Sequence, residues 1–295
     1  MKNIRIKLAT FILIVCAVST TSAQINRTLE TKVADILAQF PTKNANHTDK
    51  LMDAILELNT EGILQFCDML VPLGTGNDTQ VRYALNSLAT YSGGKEQQIQ
   101  ENIVEKALLL ALQKETDIEI QSFLIGRLAF CGSNFSATAL SPYLTNTKLY
   151  TIALATITSI GTDTAAQVIF EGLKKSDATK KPSFINALGK LRYAPATAYL
   201  QELADSDSIA IQQNALIALA DIASVNSMGK LIEATKNANY TLDDSKAIIA
   251  LILYGNRLNE EGKFELSKEV GKLLLKNCTA ENQCFQSCYL LIFIV

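Results

Sequence analysis

Apolar residues in the second half of this chain recur at a spacing of 31 residues. The segment 186–191 aligns with the segment 217–222, and the alignment extends by one unit on either side. Three columns of equivalent apolar positions carry the repeat, namely Ile157, Leu188, Leu219 and Ala250; Ile160, Leu191, Ile222 and Leu253; and Ile169, Leu200 and Leu231. Two earlier units with looser spacing surround Leu88 and Leu128. Self-similarity of this period is typical of repeat architectures.

Within each unit the apolar spacing is helical. Residues 183–191 and 214–222 place apolar side chains three and four positions apart, which is the pattern of an amphipathic helix. A break follows each segment, and Pro195 suits the first turn of a new helix. Asp163 and Ser227 are the expected N-caps at equivalent places. Because one helix pair cannot bury its apolar face alone, the pattern predicts an all-α fold, an α-solenoid in which antiparallel helix pairs stack into a superhelix.

The patterns divide the chain into four segments. Residues 1–23 form a predicted signal peptide, and residues 24–78, also helical in spacing, form a predicted N-terminal cap on the first repeat. The repeats are expected to occupy residues 79–280. Residues 281–295 depart from the repeat and end in a bare apolar run, which suggests a tail that is truncated or out of frame after about Ala280.

The first 23 residues have the features of a secretory signal. Cations at Lys2, Arg5 and Lys7 precede the apolar stretch 8–18, and small residues at 21–23 form an expected cleavage site before Gln24. The apolar stretch is too short to span a bilayer. We therefore predict export to the periplasm, the cell surface or the extracellular medium of a bacterium. Acylation of Cys16 at a lipobox-like site is the alternative to cleavage.

A resemblance to a known family lies in the residues 203–222. The string from Leu203 to Gln212, followed by the run 218–222, resembles the HEAT-like repeat of the phycobilisome-lyase type. In that repeat an Asp-containing turn precedes a Val-Arg pair, which Val81-Arg82 matches best. The resemblance implies antiparallel HEAT-like helix pairs and an Asp–Arg ladder between repeats. Three positions depart from the arginine of the pattern and weaken that ladder: Gln121, Lys181 and Gln212.

The strings at 188–195, 254–258 and 276–279 are similar to secreted HEAT-repeat proteins of Gram-negative bacteria. In those proteins the repeats often precede a jelly-roll domain assigned to 3-keto-disaccharide hydrolases. This sequence shows no such β-domain, so the hydrolytic activity is not carried over to it, and we predict an exported, non-enzymatic scaffold that mediates protein–protein interaction. The alternative is the accessory repeat region of a carbohydrate-active enzyme whose catalytic domain is missing from this chain, with a glycan-related partner.

Charge and composition narrow the possible chemistry. The formal net charge is −2, from 27 Lys and Arg against 29 Asp and Glu, and no basic stripe supports a nucleic-acid partner. The single histidine, His47, is expected in a solvated loop. Cys67 and Cys131 lie in apolar patterns and are expected to be buried thiols, whereas Cys278, Cys284 and Cys288 could pair after export. No nucleophile, phosphate or dinucleotide motif is present, so we predict no enzyme activity, no cofactor and no metal.

Large polar and aromatic residues follow the first helix of two units and are the candidate partner contacts. The column after that helix holds Gly161, Arg192, Ala223 and Tyr254. Arg and Tyr are favoured anchors of protein interfaces. The alternative is that these side chains brace the turns or cover the edge of the repeat. The predicted partner-binding residues are Arg192, Tyr193, Tyr254, Asn256 and Arg257.

Overall fold

A computed structural model describes residues 27–94 and 102–277. These two ranges contain fifteen α-helices, three short 3₁₀ turns and no β-strand. Several predictions concern residues outside the described ranges, namely the signal peptide with Cys16, the tail 281–295 and the three cysteines Cys278, Cys284 and Cys288. The chain divides into two compact units at Cys131–Gly132, inside the predicted repeat region, and the boundary at residue 78 stays a prediction.

Unit 1 is a two-layered stack of helices. The layer of α2, α4 and α6 packs against the layer of α3 and α5, and α1 covers α2 and α3. Short connections join consecutive helices, so neighbours along the chain run in opposite directions. The six helices are α1 (Leu29–Leu37), α2 (Ala45–Leu56), α3 (Asn59–Asp68), α4 (Thr79–Gly94), α5 (Ile103–Lys114) and α6 (Ile118–Cys131).

Unit 2 repeats this arrangement. The first helices of successive helix pairs, α8, α10, α12 and α14, pack side by side, and α9, α11, α13 and α15 pack behind them. The nine helices are α7 (Asn134–Ala139), α8 (Tyr150–Ile160), α9 (Asp163–Lys175), α10 (Lys181–Lys190), α11 (Thr197–Leu203), α12 (Ile209–Ile222), α13 (Met228–Asn237), α14 (Ala247–Glu260) and α15 (Phe264–Asn277). Each unit is therefore an all-α, solenoid-like stack, as the apolar pattern predicts.

The columns of apolar residues form the core between the two layers of unit 2. All four members of the column that begins at Ile157 and all three of the column that begins at Ile169 are fully buried. The column that begins at Ile160 lies closer to the surface, and only Ile222 in it is buried. Burying one such aliphatic side chain contributes about 1.5–3 kcal/mol, so the buried columns add substantially to the stability of the stack.

The repeat is also visible in the backbone. Gly161, Arg192 and Ala223 end the first helices of three successive pairs, and all three have positive φ angles of 71°, 51° and 52°. Arg192 N–H donates to Gly189 O, and Tyr193 N–H donates to Leu188 O, which closes the end of α10. A left-handed conformation costs an L-residue such as Arg192 or Ala223 about 1–2 kcal/mol relative to glycine. The packing of the flanking helices must offset that cost.

The helices α10 and α12 approach each other closely at Gly189. A Cβ atom added at Gly189 would lie 2.9 Å from Ala218 Cα and 3.0 Å from its Cβ. Those distances are too short for any side chain, so glycine at 189 and alanine at 218 allow the two helix backbones to pack directly against each other.

An ion-pair cluster links three segments of unit 1. Arg82 Nε donates to Asp78 at 2.8 Å, and its two terminal nitrogens donate to both oxygens of Glu119 on α6 at 2.6 and 2.7 Å. Asp78 also accepts from Val71 N–H at 3.0 Å. Partial burial acts to raise the pKa of Asp78, but these hydrogen bonds and the nearby guanidinium outweigh it and hold the pKa below its usual value. Asp78 and Arg82 therefore form an ion pair within unit 1.

Three local predictions are wrong. Thr162, not Asp163, caps α9, because its hydroxyl accepts from Ala165 N–H at 3.2 Å. Ser227 makes no capping bond, since it lies in the 3₁₀ turn Val225–Ser227 with its hydroxyl buried. His47 lies in the first turn of α2, where its N–H donates to the side chain of Asn44. Cys67 and Cys131 are buried, as predicted.

We predict that Ser227→Ala stabilises unit 2. Ser227 is fully buried and its hydroxyl has no hydrogen-bond partner in the described part of the chain. The equivalent positions 31 and 62 residues earlier, Ala196 and Ala165, are fully buried alanines. Removing the unpaired hydroxyl should raise the free energy of unfolding by about 1 kcal/mol, measured by urea denaturation.

The matched control for this prediction is Ser267→Ala. Ser267 is equally buried, but its hydroxyl donates to Gly255 O at 2.9 Å. This substitution should lower the free energy of unfolding by about 1 kcal/mol. Equal effects of the two substitutions would contradict the assignment of an unpaired hydroxyl at Ser227.

We also predict that Arg82→Lys destabilises unit 1 by about 1–2 kcal/mol. Lysine cannot hold Asp78 and both oxygens of Glu119 at once, although it keeps the positive charge. The control is Arg192→Lys, since Arg192 is 41% exposed and 3.5 Å from Glu260. Because that pair is exposed, Arg192→Lys should change the free energy of unfolding by less than about 0.5 kcal/mol. A similar loss in both variants would show that the geometry around Arg82 is unimportant.

Candidate partner-binding site

An ionic network crosses the ends of α10, α12 and α14 in unit 2. Arg192 at the end of α10 lies 3.5 Å from Glu260 and 3.6 Å from Glu261 at the end of α14. Arg257 lies 3.1 Å from Asp221 on α12 and 2.8 Å from Glu260. Lys263 donates to Ala223 O at 3.2 Å and pairs with Glu261 at 2.7 Å. We call this set the turn network: Arg192, Asp221, Arg257, Glu260, Glu261 and Lys263.

Arg192 and Tyr193 lie at the edge of the turn network. The Arg192 side chain is 41% exposed, and its two ion-pair distances are long, so its guanidinium keeps donors for an external acceptor. Tyr193 is half-buried, and its ring centroid lies 6.0 Å from that of Phe170 on α9. Both residues therefore offer surface to a partner, and Phe170 fixes the position of the tyrosine ring.

Tyr254 does not offer surface. The sequence pattern places it in a turn, but α14 runs on to Glu260 and Tyr254 lies in its middle, fully buried. Its hydroxyl donates to Ser224 O at 3.0 Å, so it braces the turn after α12 from inside. Burial, together with the charges of Glu261 and Glu269, raises the pKa of Tyr254 to about 12. We therefore remove Tyr254 from the candidate contact surface.

The remaining two predicted residues, Asn256 and Arg257, follow Tyr254 by two and three positions and lie on the outer side of α14. Asn256 is exposed, and the Arg257 side chain is 29% exposed. The hydrogen bonds from Arg257 to Glu260 and Asp221 raise the pKa of Arg257, and the same bond with Arg257 lowers that of Glu260. The turn network contains three basic and three acidic side chains, so the two types of charge are present in equal numbers.

Sequence reasoning missed the acidic members of the turn network and Lys263. The 31-residue column predicts that α14 ends near Tyr254. The helix in fact ends just before Gly262, whose φ angle is 75°. Lys263 N–H donates to Leu258 O at 2.8 Å across that end. Glycine shortly after an apolar helical pattern is the usual signal of a helix end, so Gly262 marked the later end.

The described residues include two cysteines, and both are buried. No group of three or more His, Cys, Asp or Glu side chains that could hold a metal ion occurs within residues 27–94 and 102–277. Burial raises the pKa of both Cys67 and Cys131 to about 12, so neither is a thiolate at neutral pH. The turn network consists of hydrogen-bond donors and acceptors, which suits recognition of another molecule.

A cavity of about 660 Å³ lies beside Gly172 in unit 2. Its wall is rich in hydroxyl groups. Two acidic side chains of the wall form ion pairs, Glu171 with Lys174 and Asp177 with Lys180. A Cβ atom at Gly172 would lie 2.7 Å from the ring of Phe184, so glycine is required where α9 packs on α10. The hydroxyl-bearing residues of the wall are Thr138, Ser141, Thr145, Thr164 and Ser176.

Unit 1 carries a second polar and aromatic surface that sequence reasoning missed. The guanidinium of Arg82 lies 4.9 Å from the ring centroid of Phe123, and that of Arg127 lies 5.0 Å from the same ring. Arg127 also lies 5.5 Å from the ring centroid of Phe130. We call these four residues the arginine–phenylalanine stack. Phe123, Arg127 and Phe130 are spaced by four and three residues on α6, and that spacing was the available signal.

We predict that Tyr254→Phe lowers the free energy of unfolding at pH 7 by about 1 kcal/mol, because Ser224 O loses its donor. An unfolded tyrosine ionises near pH 10 and Tyr254 only near 12. The stability that its neutral phenol contributes is therefore complete below pH 10 and lost as the pH rises towards 12. The difference between wild type and variant, measured by urea denaturation, should shrink over that range.

Tyr193→Phe is the control for this prediction, since no hydrogen bond from the Tyr193 hydroxyl occurs in the part of the chain that the structure describes. It should leave the free energy of unfolding at pH 7 within about 0.5 kcal/mol of wild type. A pH-independent difference for Tyr254→Phe would contradict the buried, hydrogen-bonded phenol.

Comparison with known proteins adds little beyond the geometry. A comparison with protein-family models finds no match, and a comparison with curated proteins finds none either. Among solved structures, an engineered protein matches with a TM-score of 0.40 and 17% identity over 87% of this chain and 77% of that protein. Across the residues that the structure describes, none of the helices combines the length and the apolar character needed to cross a bilayer.

Proposed function

We propose that this chain is an exported, non-enzymatic scaffold of HEAT-like repeats that binds a protein partner in the periplasm or at the cell surface. The observation that carries the proposal is the turn network, which holds large polar side chains in place across three successive helix ends. The contact residues that we assign are Arg192, Tyr193, Asn256 and Arg257.

The physical argument is one of preorganisation. Long side chains such as arginine lose rotamer freedom when they bind a partner, and that loss weakens association. Arg257 is already fixed by Asp221 and Glu260, and Tyr193 is fixed by Phe170. A partner that contacts these groups therefore pays less conformational entropy than it would on an unpaired helix surface. Arg192, with its long ion pairs and exposed guanidinium, is the group best able to re-pair with a partner.

The same geometry supports a protein partner over a nucleic acid. The turn network has equal numbers of cations and anions, and the whole chain has a net charge of −2. Balanced charge favours an interface of complementary pairs, since a polyanion would meet repulsion from Glu260 and Glu261. Removal of the predicted signal peptide would take away three more cations and leave the chain more negative.

We expect Arg192→Ala combined with Asn256→Ala to weaken partner capture about tenfold, since a truncated anchor typically costs 1–2 kcal/mol of binding. The bait is the full chain produced with its own leader, used on an envelope extract of its host, with captured proteins quantified by mass spectrometry. The N-terminus of the exported bait, expected at Gln24, is determined in the same preparation.

The matched control is Lys236→Ala combined with Asn237→Ala on α13. These residues are also an exposed cation and an exposed asparagine of unit 2, and they lie outside the turn network. The control should retain the captured partner at wild-type level. Equal capture by both double variants would show that the turn network is not part of the binding surface. A bait that stays in the cytoplasm with residues 1–23 still attached would refute export.

A further inference from the structure

The arginine–phenylalanine stack of unit 1 contains two arginines in different states of neutralisation. Both guanidinium groups lie about equally far from the Phe123 ring, at 4.9 Å for Arg82 and 5.0 Å for Arg127. Arg82 is neutralised by Asp78 and by both oxygens of Glu119. Over the described ranges, no carboxylate lies within ion-pair distance of Arg127. Its hydrogen-bond partner is the neutral side-chain oxygen of Asn86 on α4.

The position of Arg127 is unfavourable for an unpaired cation. Its Nε atom is buried and has no hydrogen-bond partner within the described residues. Loss of solvent lowers the pKa of Arg127, and the nearby Cys131 only partly opposes that effect. The two phenylalanine rings offset some of the lost hydration through cation–π contacts, but neutral groups do not replace a carboxylate. An anion that binds Arg127 would therefore interact with it more strongly than with an arginine that is fully exposed to solvent.

The surroundings of Arg127 determine which anion fits. Phe130, 5.5 Å from the guanidinium, is 50% exposed, and the Phe123 ring lies 5.0 Å from the same cation. A single positive charge close to two apolar rings suits one carboxylate that has apolar neighbours. It does not suit a phosphate chain, because the stack has only one cation without an acidic partner among the described residues.

We propose that Arg127 receives the carboxylate of an Asp or Glu side chain from an apolar-flanked segment of a protein partner, with Phe130 covering the flanking apolar residue. Arg127 supplies charge-assisted hydrogen bonds, and Phe130 supplies apolar contact area. Arg82 keeps Phe123 in place but has no free charge to offer. This site lies in unit 1 and does not involve the turn network of unit 2, so it holds or fails independently of the function proposed above.

The test uses the full chain and two short fluorescent peptides blocked at both ends, one with a central Leu-Glu-Leu and one with Leu-Gln-Leu. Fluorescence anisotropy should show about tenfold tighter binding of the glutamate peptide, the gain expected from a charge-assisted pair. Arg127→Met keeps the apolar stem and removes the charge, so it should abolish the difference between the peptides. Phe130→Ala should weaken both peptides and keep their ratio.

Arg27→Met is the matched control, since it removes an exposed arginine of unit 1 that pairs with Asp35 and lies outside the stack, and it should leave the discrimination intact. Thermal unfolding of Arg127→Met should stay at or above the wild-type midpoint, because the variant removes an unpaired, desolvated cation. Equal binding of the two peptides to wild type, absence of binding, or discrimination that persists in Arg127→Met would each overturn the proposal.

A final variant tests whether the chain supplies its own carboxylate. Glu96 and Glu101 lie outside the described residues, between α4 and α5 in the sequence. If peptide discrimination were to occur only in Glu96→Gln combined with Glu101→Gln, the site would belong to an internal acidic residue and not to a partner. The same discrimination in wild type and in this double variant supports a partner carboxylate.

Discussion

Aliphatic side chains buried between neighbouring helix pairs hold each unit of this chain together. A single pair of amphipathic helices leaves one face apolar, and that face is removed from water only when the next pair packs on it. Ile157, Leu188, Leu219 and Ala250 are all fully buried at the same place in successive pairs of unit 2. Everything else in that unit, including the turns and their ion pairs, takes its position from this packing.

The apolar periodicity was sufficient to predict the helices and the register of the repeat, because burial acts on every unit in the same way. Prediction was weaker where one residue decides the outcome. Tyr254 occupies the column of Arg192 and Ala223 but remains inside a helix, since α14 continues to Glu260, two residues before Gly262. Ser227 resembles an N-cap in sequence, yet its hydroxyl is buried and has no hydrogen-bond partner among the residues that the structure describes.

The polar surfaces were harder to predict because they depend on contacts between distant residues. Arg257 and Asp221 are 36 residues apart, and Arg82 and Glu119 are 37 apart, so neither pair follows the 31-residue period. Arginine as a residue type indicated where such contacts could form, but not which arginine is neutralised. In unit 1 Arg82 and Arg127 lie beside the same phenylalanine ring but differ in whether a carboxylate neutralises them. The difference comes from Asp78 and Glu119, which both pair with Arg82.

The contact between Gly189 and Ala218 has a consequence for the geometry of the turns. Since the backbones of α10 and α12 touch at this point, the separation of these helices has its smallest value and cannot be reduced further. Even one methyl group at 189 would force the helices apart by a fraction of an ångström. Arg192 and Asp221 lie at the ends of those same helices. Gly189 therefore determines the distance between these charged groups at the surface.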